Sequence, residues 1–440
     1  MKVKKPNATL YFIAYIIFYP LLKLFFRLKP ERSGMENLSG AHIVIANHST
    51  LIDFLLVMLA YYPKRLNAVT AQKFFLIKPL HKFLPMMGCI SKNMFDPDVR
   101  SIVGIKTVLK RGDGIFLFPE GRCSIANAYS GINKSTGKLI KKLGVPVISC
   151  YIEGVYVCMP HWRKLFRRGK IRLTFKTLFT TDDIKKLSID EINRAIDLRL
   201  SGAEGALPIK KPFRTAGKKR LAEGLHKILY WCPVCNCEYT TDSFGNEIRC
   251  KNCDSGATLD CYQNLTFHAS SFNPVQNSAS SSDFDASLST RFSSDGLPSS
   301  IKSWFSLQVK HEMDALCEDM EPISEKVTVM MPSQNPNDGT VVCGSGVMKL
   351  DPTGWHYAGE LYGEATNLHF PIETIPAISY ESGMNFQIYF GGKYYIFLPE
   401  DRRKCLKYAI LTECVHWKFS PRTQMTHGDV GFAEFAGREG

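Results

Sequence analysis

The strongest constraint on the fold is a recurring alternation of short apolar runs with helix-length segments. Ile43-Val44-Ile45-Ala46 reads as a buried strand and leads into a helix over Phe54 to Ala60. Residues 98–111 place Val99, Ile102, Val103, Ile105, Val108 and Leu109 at helical spacing, and Gly112-Asp113-Gly114 ends them. Ile115 to Phe118 is the next strand, residues 133–143 the next helix, and Val145 to Ile152 a further strand. Ile171 to Phe175 reads as a strand and residues 188–200 as an amphipathic helix. Alternation of this kind predicts an α/β layer architecture, a mixed sheet with flanking helices.

Two of these strands end in chemistry-bearing residues. The first runs into Asn47-His48-Ser49-Thr50-Leu51-Ile52-Asp53. A carboxylate about one helical turn beyond a histidine can fix the imidazole tautomer and stabilise the imidazolium, which is what a general base requires. His-x4-Asp alone fits a satisfied structural histidine better. The second strand runs into Pro119-Glu120-Gly121-Arg122-Cys123-Ser124. A tight turn accounts for Pro119 and Gly121, but not for a glutamate and an arginine beside a catalytic edge.

With their spacing, four blocks resemble the glycerolipid acyltransferase family, which contains the 1-acylglycerol-3-phosphate acyltransferases. They are Asn47-His48-x-Thr50-x-x-Asp53, Gly88-Cys89-Ile90-Ser91-Lys92, Phe118-Pro119-Glu120-Gly121-Arg122-x-Ser124 and Val145-Pro146-Val147-Ile148. The resemblance covers roughly residues 35–200. Three positions depart from the family pattern: Thr50 replaces a serine, Lys92 replaces an arginine, and Cys123 stands where the family carries the arginine of its third block.

The resemblance implies transfer of a fatty acyl group from a thioester donor, acyl-CoA or acyl-carrier protein, to a lysophosphatidic acid-like acceptor, giving phosphatidic acid. His48 is then the base and Asp53 its orienting partner. Asn47, Thr50, Lys92, Glu120, Gly121, Arg122, Ser124 and Lys134 are the expected substrate-binding residues. Arg122 leads among the phosphate cations because a guanidinium pairs bidentately with phosphate. Backbone amides near Gly121 are candidate oxyanion donors. Acylation of another lysophospholipid is an alternative reading. So is a non-catalytic membrane scaffold that binds a partner through the second half of the chain.

Charge divides the chain in two. Residues 1–230 hold 40 Lys+Arg against 15 Asp+Glu, and the remainder 15 against 26. The basic half suits anionic lipid surfaces, phosphorylated substrates or nucleic acid. Its N-terminus, residues 1–30, is apolar and aromatic between basic flanks. It reads as a membrane anchor, re-entrant or interfacial, with Tyr11, Tyr15 and Tyr19 forming one interfacial stripe and Pro20 a kink. A clean spanning helix and a buried N-terminal helix are the alternatives. The expected localisation is the cytosolic face of a membrane, taken as a bacterial plasma membrane.

Of fourteen cysteines, nine are scattered and five cluster between Cys232 and Cys253. Cys232-x2-Cys235 and Cys250-x2-Cys253, separated by fourteen residues, give the tetrahedral thiolate set of a structural Zn2+. Cys237 is a bystander. A basic helix is expected over residues 214–230, and a hairpin turning at Gly245-Asn246 between the knuckles. The ribbon lacks the basic-aromatic face that nucleic acid requires.

The domain reading is 1–30 membrane-associating helix, 31–230 acyltransferase domain, 231–265 zinc ribbon, 266–300 Ser-rich flexible linker, 301–420 β domain and 421–440 polar tail. In the β domain, short strands such as Phe386 to Phe390 and Tyr394 to Leu398 follow a helix at residues 301–316. A helix over residues 401–417 caps them. The pattern resembles a pleckstrin-homology-like or GRAM-like domain. It has no basic phosphoinositide cluster, so the expected ligand of this half is a protein partner.

Overall fold

The computed structural model describes residues 3–34, 39–93, 98–127, 129–160, 162–163, 165–202, 214–268, 297–333 and 339–420. The first half is built on seven strands: β1 (Lys29–Ser33), β2 (His42–Ala46), β3 (Leu66–Ala71), β4 (Ile90–Lys92), β5 (Gly114–Leu117), β6 (Val147–Glu153) and β7 (Arg172–Phe179). Their spatial order is β1-β7-β6-β2-β5-β3-β4. All neighbours run parallel except β6 and β7, so the sheet is mixed as expected. The helices are α1 (Ala8–Phe26), α2 (Asp53–Ala60), α3 (Leu80–Met86), α4 (Val99–Lys110), α5 (Ser135–Leu143), α6 (Val155–Cys158), α7 (Thr181–Lys186) and α8 (Ile189–Leu200).

Every residue of β2 is buried, and its period-2 alternation feeds two cores. Val44 and Ala46 pack with α1 and α2 on one face; Ile43 and Ile45 pack with α4, α5 and α8 on the other. At roughly 1.5–3 kcal/mol for each fully buried aliphatic side chain, this strand is pinned from both sides. Its C-terminal end is therefore a rigid platform.

Helix α1 begins at Asn7, whose side chain accepts from the Leu10 amide at 3.0 Å. Among the described residues it is the one helix long and apolar enough to cross a membrane. The tyrosine stripe does not face outward as expected. The Tyr11 hydroxyl donates to the Met58 carbonyl at 2.9 Å, and Tyr15 stacks on Tyr62 at 4.2 Å and on Tyr19 at 4.9 Å. The phenols thus anchor α1 to the domain, and the helix runs on through Pro20. The opposite face leaves Phe12, Ile16, Ile17 and Leu24 exposed.

The second half starts with four antiparallel strands, β8 (Thr241–Phe244), β9 (Glu247–Cys250), β10 (Gly256–Leu259) and β11 (Leu265–His268). The β8–β9 hairpin turns at Gly245-Asn246. The helix expected over residues 214–230 is absent; only Leu225–Lys227 form a short 3-10 turn. Its apolar residues Leu221, Leu225, Ile228 and Leu229 are buried, but as an irregular strap. Gly224, at φ +87, lies so close to the Trp162 carbonyl that a Cβ would meet it at 2.6 Å. The Asn246 side chain takes the Leu221 amide. Tertiary contacts thus replace the i→i−4 ladder.

Helix α9 (Ile301–Asp314) docks on this strap. The Trp304 indole donates to the Trp231 carbonyl at 2.9 Å, Gln308 donates to Ile228 and accepts from the Trp231 amide, and the Tyr230 hydroxyl donates to Glu312 at 2.7 Å. Residues 266–268 lie in β11 rather than in a linker, and the Ser-rich stretch 269–296 lies outside the described residues, as does the tail from residue 421. Seven antiparallel strands follow: β12 (Ile323–Pro332), β13 (Thr340–Asp351), β14 (Gly354–Leu361), β15 (Glu364–Pro371), β16 (Ser379–Glu381), β17 (Asn385–Phe390) and β18 (Lys393–Pro399). Their order is β15-β14-β13-β12-β18-β17-β16, and α10 (Cys405–Phe419) caps them. One apolar core joins this sheet, α9, the ribbon and Tyr156 and Trp162 of the first half.

Candidate active site

Strands β2 and β5 are parallel neighbours, with Ile45 opposite Leu117, so their C-terminal ends open side by side. That register brings the His48 and Glu120 loops together. Asp53 is the first residue of α2 and is fully buried. Its Oδ2 accepts from the Ser49 amide at 2.6 Å, from the Thr50 amide at 2.8 Å and from His48 Nδ1 at 3.1 Å; Oδ1 accepts from the Thr50 hydroxyl at 2.6 Å. The helix N-terminus favours the same negative charge. With Nδ1 donating to Asp53, Nε2 is the nitrogen left for chemistry.

The imidazole is clamped on its other sides. It stacks on the Phe118 ring at 3.8 Å and 9°. Its Nε2 lies 3.2 Å from Cys123 Sγ. Burial alone would lower the imidazole, but the Cys123 sulfur and the Asp53 carboxylate hold it up at about 10.

Most residues expected to touch substrate hold the loops instead. Asn47 bonds both ways to the Ile152 backbone, tying β2 to β6. The Thr50 hydroxyl serves Asp53. The Ser124 amide donates to the His48 carbonyl at 2.7 Å and its hydroxyl to the same oxygen at 3.1 Å. Glu120 accepts from the His48 amide at 2.7 Å and from the Ser130 amide at 3.1 Å. Burial raises its carboxyl to about 8 even though both amides favour the ionised form. Glu120 thus bridges the His48 and Ser130 backbones. Gly121, at φ +73, donates its amide to the Phe118 carbonyl, so this amide closes the turn and does not face an oxyanion.

The expected cations are dispersed. Lys92 ends β4 and its Nζ lies 3.4 Å from the Asn93 carbonyl. Lys134 precedes α5 and its carbonyl accepts from Asn193. Arg122 is not presented to solvent as a vacant phosphate cation. Its guanidinium makes a two-pronged pair with Glu413 of α10, Nη1 to Oε1 and Nη2 to Oε2, the latter at 2.9 Å. A second cross-link, Lys73 to Glu381 at 3.6 Å, joins the same two halves. Glu413 could not be foreseen, lying 291 residues from its partner. Cys123 had a signal: it stands at the family's arginine position.

Away from this edge, the sulfurs of Cys232, Cys235, Cys250 and Cys253 all lie within 4.8 Å of one another. Cys232 and Cys253 are 3.7 Å apart, Cys235 and Cys250 3.6 Å. A tetrahedral site with Zn–S of about 2.3 Å places sulfurs about 3.8 Å apart, so the donor set fits zinc. Cys237 lies outside the four.

The family model described as Acyltransferase matches residues 29–153. A chloroplastic 1-acyl-sn-glycerol-3-phosphate acyltransferase of Brassica napus is 24% identical over 151 residues, 33% of this chain and 43% of that protein. A protein of the same description from Arabidopsis thaliana is 25% identical over 166 residues, 36% of this chain and 44% of that protein. The chain therefore spans less than half the length of these curated relatives. The crystal structure of a 1-acyl-sn-glycerophosphate acyltransferase from Thermotoga maritima aligns at 20% identity and a TM-score of 0.39, covering 46% of this chain and 80% of that one.

Proposed function

We propose, from the match of residues 29–153 to the acyltransferase family model, that this chain moves a fatty acyl group from acyl-CoA or acyl-carrier protein to a lysophosphatidic acid-like acceptor, forming phosphatidic acid. The observation that carries the reading is the His48–Asp53 pair at 3.1 Å, on a strand end that abuts the Glu120-Gly121-Arg122 turn. A glycerol hydroxyl is a poor nucleophile at neutral pH. Once it has given up its own proton, His48 Nε2 takes the hydroxyl proton as the oxygen attacks the thioester carbonyl, a contribution of roughly 10²–10⁴-fold. The carbon–sulfur bond then breaks and the proton passes to the departing thiolate. Asp53 holds the imidazole's orientation throughout.

The acceptor phosphate takes the place of Glu413 on Arg122. Both ligands are bidentate anions, so the exchange conserves the geometry of the guanidinium contacts. Helix α1 lies in the membrane interface with Phe12, Ile16 and Leu24 toward lipid. The four cysteines would hold one structural zinc, which closes the ribbon by joining Cys232 and Cys235 to Cys250 and Cys253.

The test is purified full-length protein incubated with acyl-CoA or acyl-carrier protein and a panel of lysolipids, with products identified by mass. The reading expects phosphatidic acid as the dominant product and none from a His48→Ala variant. Product confined to another headgroup would reassign the acceptor; absence of any acyl transfer would overturn the reading.

A further inference from the structure

The nitrogen that must receive the acceptor's proton already faces a nucleophile. Cys123 Sγ sits 3.2 Å from His48 Nε2, and Nδ1 of the same ring is held by Asp53 at 3.1 Å. A nucleophile within reach of a base that a third group orients is the signature of covalent catalysis. Cys123 is partly accessible, whereas Cys150 and Cys158 are buried in the apolar core. The neighbouring surface also suits an acyl chain: Leu51 and Phe54, on either side of Asp53 in the chain, are exposed.

Resting on the acyltransferase reading above, we propose that Cys123 is the first acyl acceptor, so that transfer runs through an S-acyl-Cys123 intermediate. The Cys123 sulfur attacks the thioester carbonyl, a new carbon–sulfur bond forms, and the donor's carbon–sulfur bond breaks. The donor thiolate leaves with the proton that Cys123 had passed to His48 Nε2. No oxidant or reductant is needed, and one thioester replaces another. In the second half, the acceptor hydroxyl attacks the S-acyl carbonyl and its proton goes to His48 Nε2. The Cys123 thiolate departs and the resting pair is restored.

The electrostatics fit this order. In the resting state the Cys123 sulfur and the Asp53 carboxylate both favour the protonated imidazole, so the ring is not yet free to act as a base. Acylation removes the sulfur's charge. The imidazole then loses one of the groups that hold it up and becomes able to accept the hydroxyl proton.

The experiment uses the full chain with palmitoyl-CoA and no acceptor, quenched in acid and read by intact mass and peptide mapping. In parallel, exchange of labelled CoA into palmitoyl-CoA is followed. The expected result is one acyl group on the peptide containing Cys123, released by neutral hydroxylamine or by added lysophosphatidic acid, together with CoA exchange in the absence of acceptor. Cys123→Ala should lose both signals completely. Cys123→Ser, nearly isosteric, guards against misfolding and should lose the hydroxylamine-sensitive adduct while keeping the wild-type melting temperature. Acceptor turnover without adduct or exchange, or wild-type kcat in Cys123→Ala, overturns the intermediate and leaves the acyltransferase reading standing. An adduct without transfer to any lysolipid supports Cys123 and sinks the proposed acceptor class. Neither adduct nor turnover overturns both.

Discussion

His48 and Arg122 stand on neighbouring strand ends, yet different halves of the chain hold them. Asp53, the Ser49 and Thr50 amides, Glu120, Phe118 and Ser124 fix His48, all within residues 47–130. Arg122 is held by Glu413, from a helix that caps the C-terminal sheet. The base arm is assembled by local chain and by the β2–β5 register, so it is preorganised whenever the sheet is folded. The cation arm depends on how the second half is docked. On the proposed reading, reaction rate and acceptor affinity fall to separate parts of the molecule.

Breaking the base arm should have the largest effect. His48→Ala is expected to lower kcat by roughly 10²–10⁴-fold with the fold intact, measured by lipid product formation beside circular dichroism. Next comes the zinc proposed for Cys232, Cys235, Cys250 and Cys253, in the half that supplies Glu413. Metal analysis should find one zinc per chain, and its removal by a strong chelator should expose Trp231, which is now buried, as a red shift in tryptophan fluorescence. Freeing the cation arm alone sharpens the contrast. Glu413→Gln should lower the acceptor KM by roughly 5-fold or more while kcat stays level, because the phosphate no longer competes with a carboxylate. Arg122→Ala should raise the same KM. An unchanged KM in both variants would remove Arg122 from acceptor binding.

The smallest effect is a pH signature of the base arm. A group raised from 6.5 to about 10 on folding stabilises the fold fully below pH 6.5 and ceases to do so as pH rises through 10. The melting-temperature gap between the wild type and His48→Gln should therefore narrow across that window. A gap that widens toward pH 10 would contradict the charged His48–Asp53–Cys123 cluster.

The sequence carried the base arm because its parts are local. An apolar run, a histidine and an aspartate five residues on are readable as a strand, a junction and a helix start. The grouping of the ribbon cysteines was readable for the same reason, since two Cys-x2-Cys pairs at that spacing bring four sulfurs within 4.8 Å of one another. The Arg122–Glu413 pair was not, because no local pattern links a strand-end turn to a helix 291 residues away. The tyrosine repeat of α1 gave the correct helical face but the wrong neighbour, since Tyr62 and the Met58 carbonyl offered partners that membrane water would otherwise supply. The strap at residues 214–230 kept its apolar residues in the core but lost the helix, because Gly224 allows a close approach to Trp162 that a helix would forbid. Asn47, Thr50, Glu120 and Ser124 were expected at the substrate and proved to be bonded to backbone or to Asp53. Polar residues on a strand-end loop must first satisfy buried amides and carbonyls there.

The most direct test is one steady-state assay of acyl transfer to lysophosphatidic acid, run on the wild type, Asp53→Asn and Glu413→Gln. Asp53→Asn should lose kcat by orders of magnitude with little change in acceptor KM, and Glu413→Gln should change KM and leave kcat level. Wild-type turnover by Asp53→Asn would contradict the assignment of the chemistry to the His48–Asp53 pair.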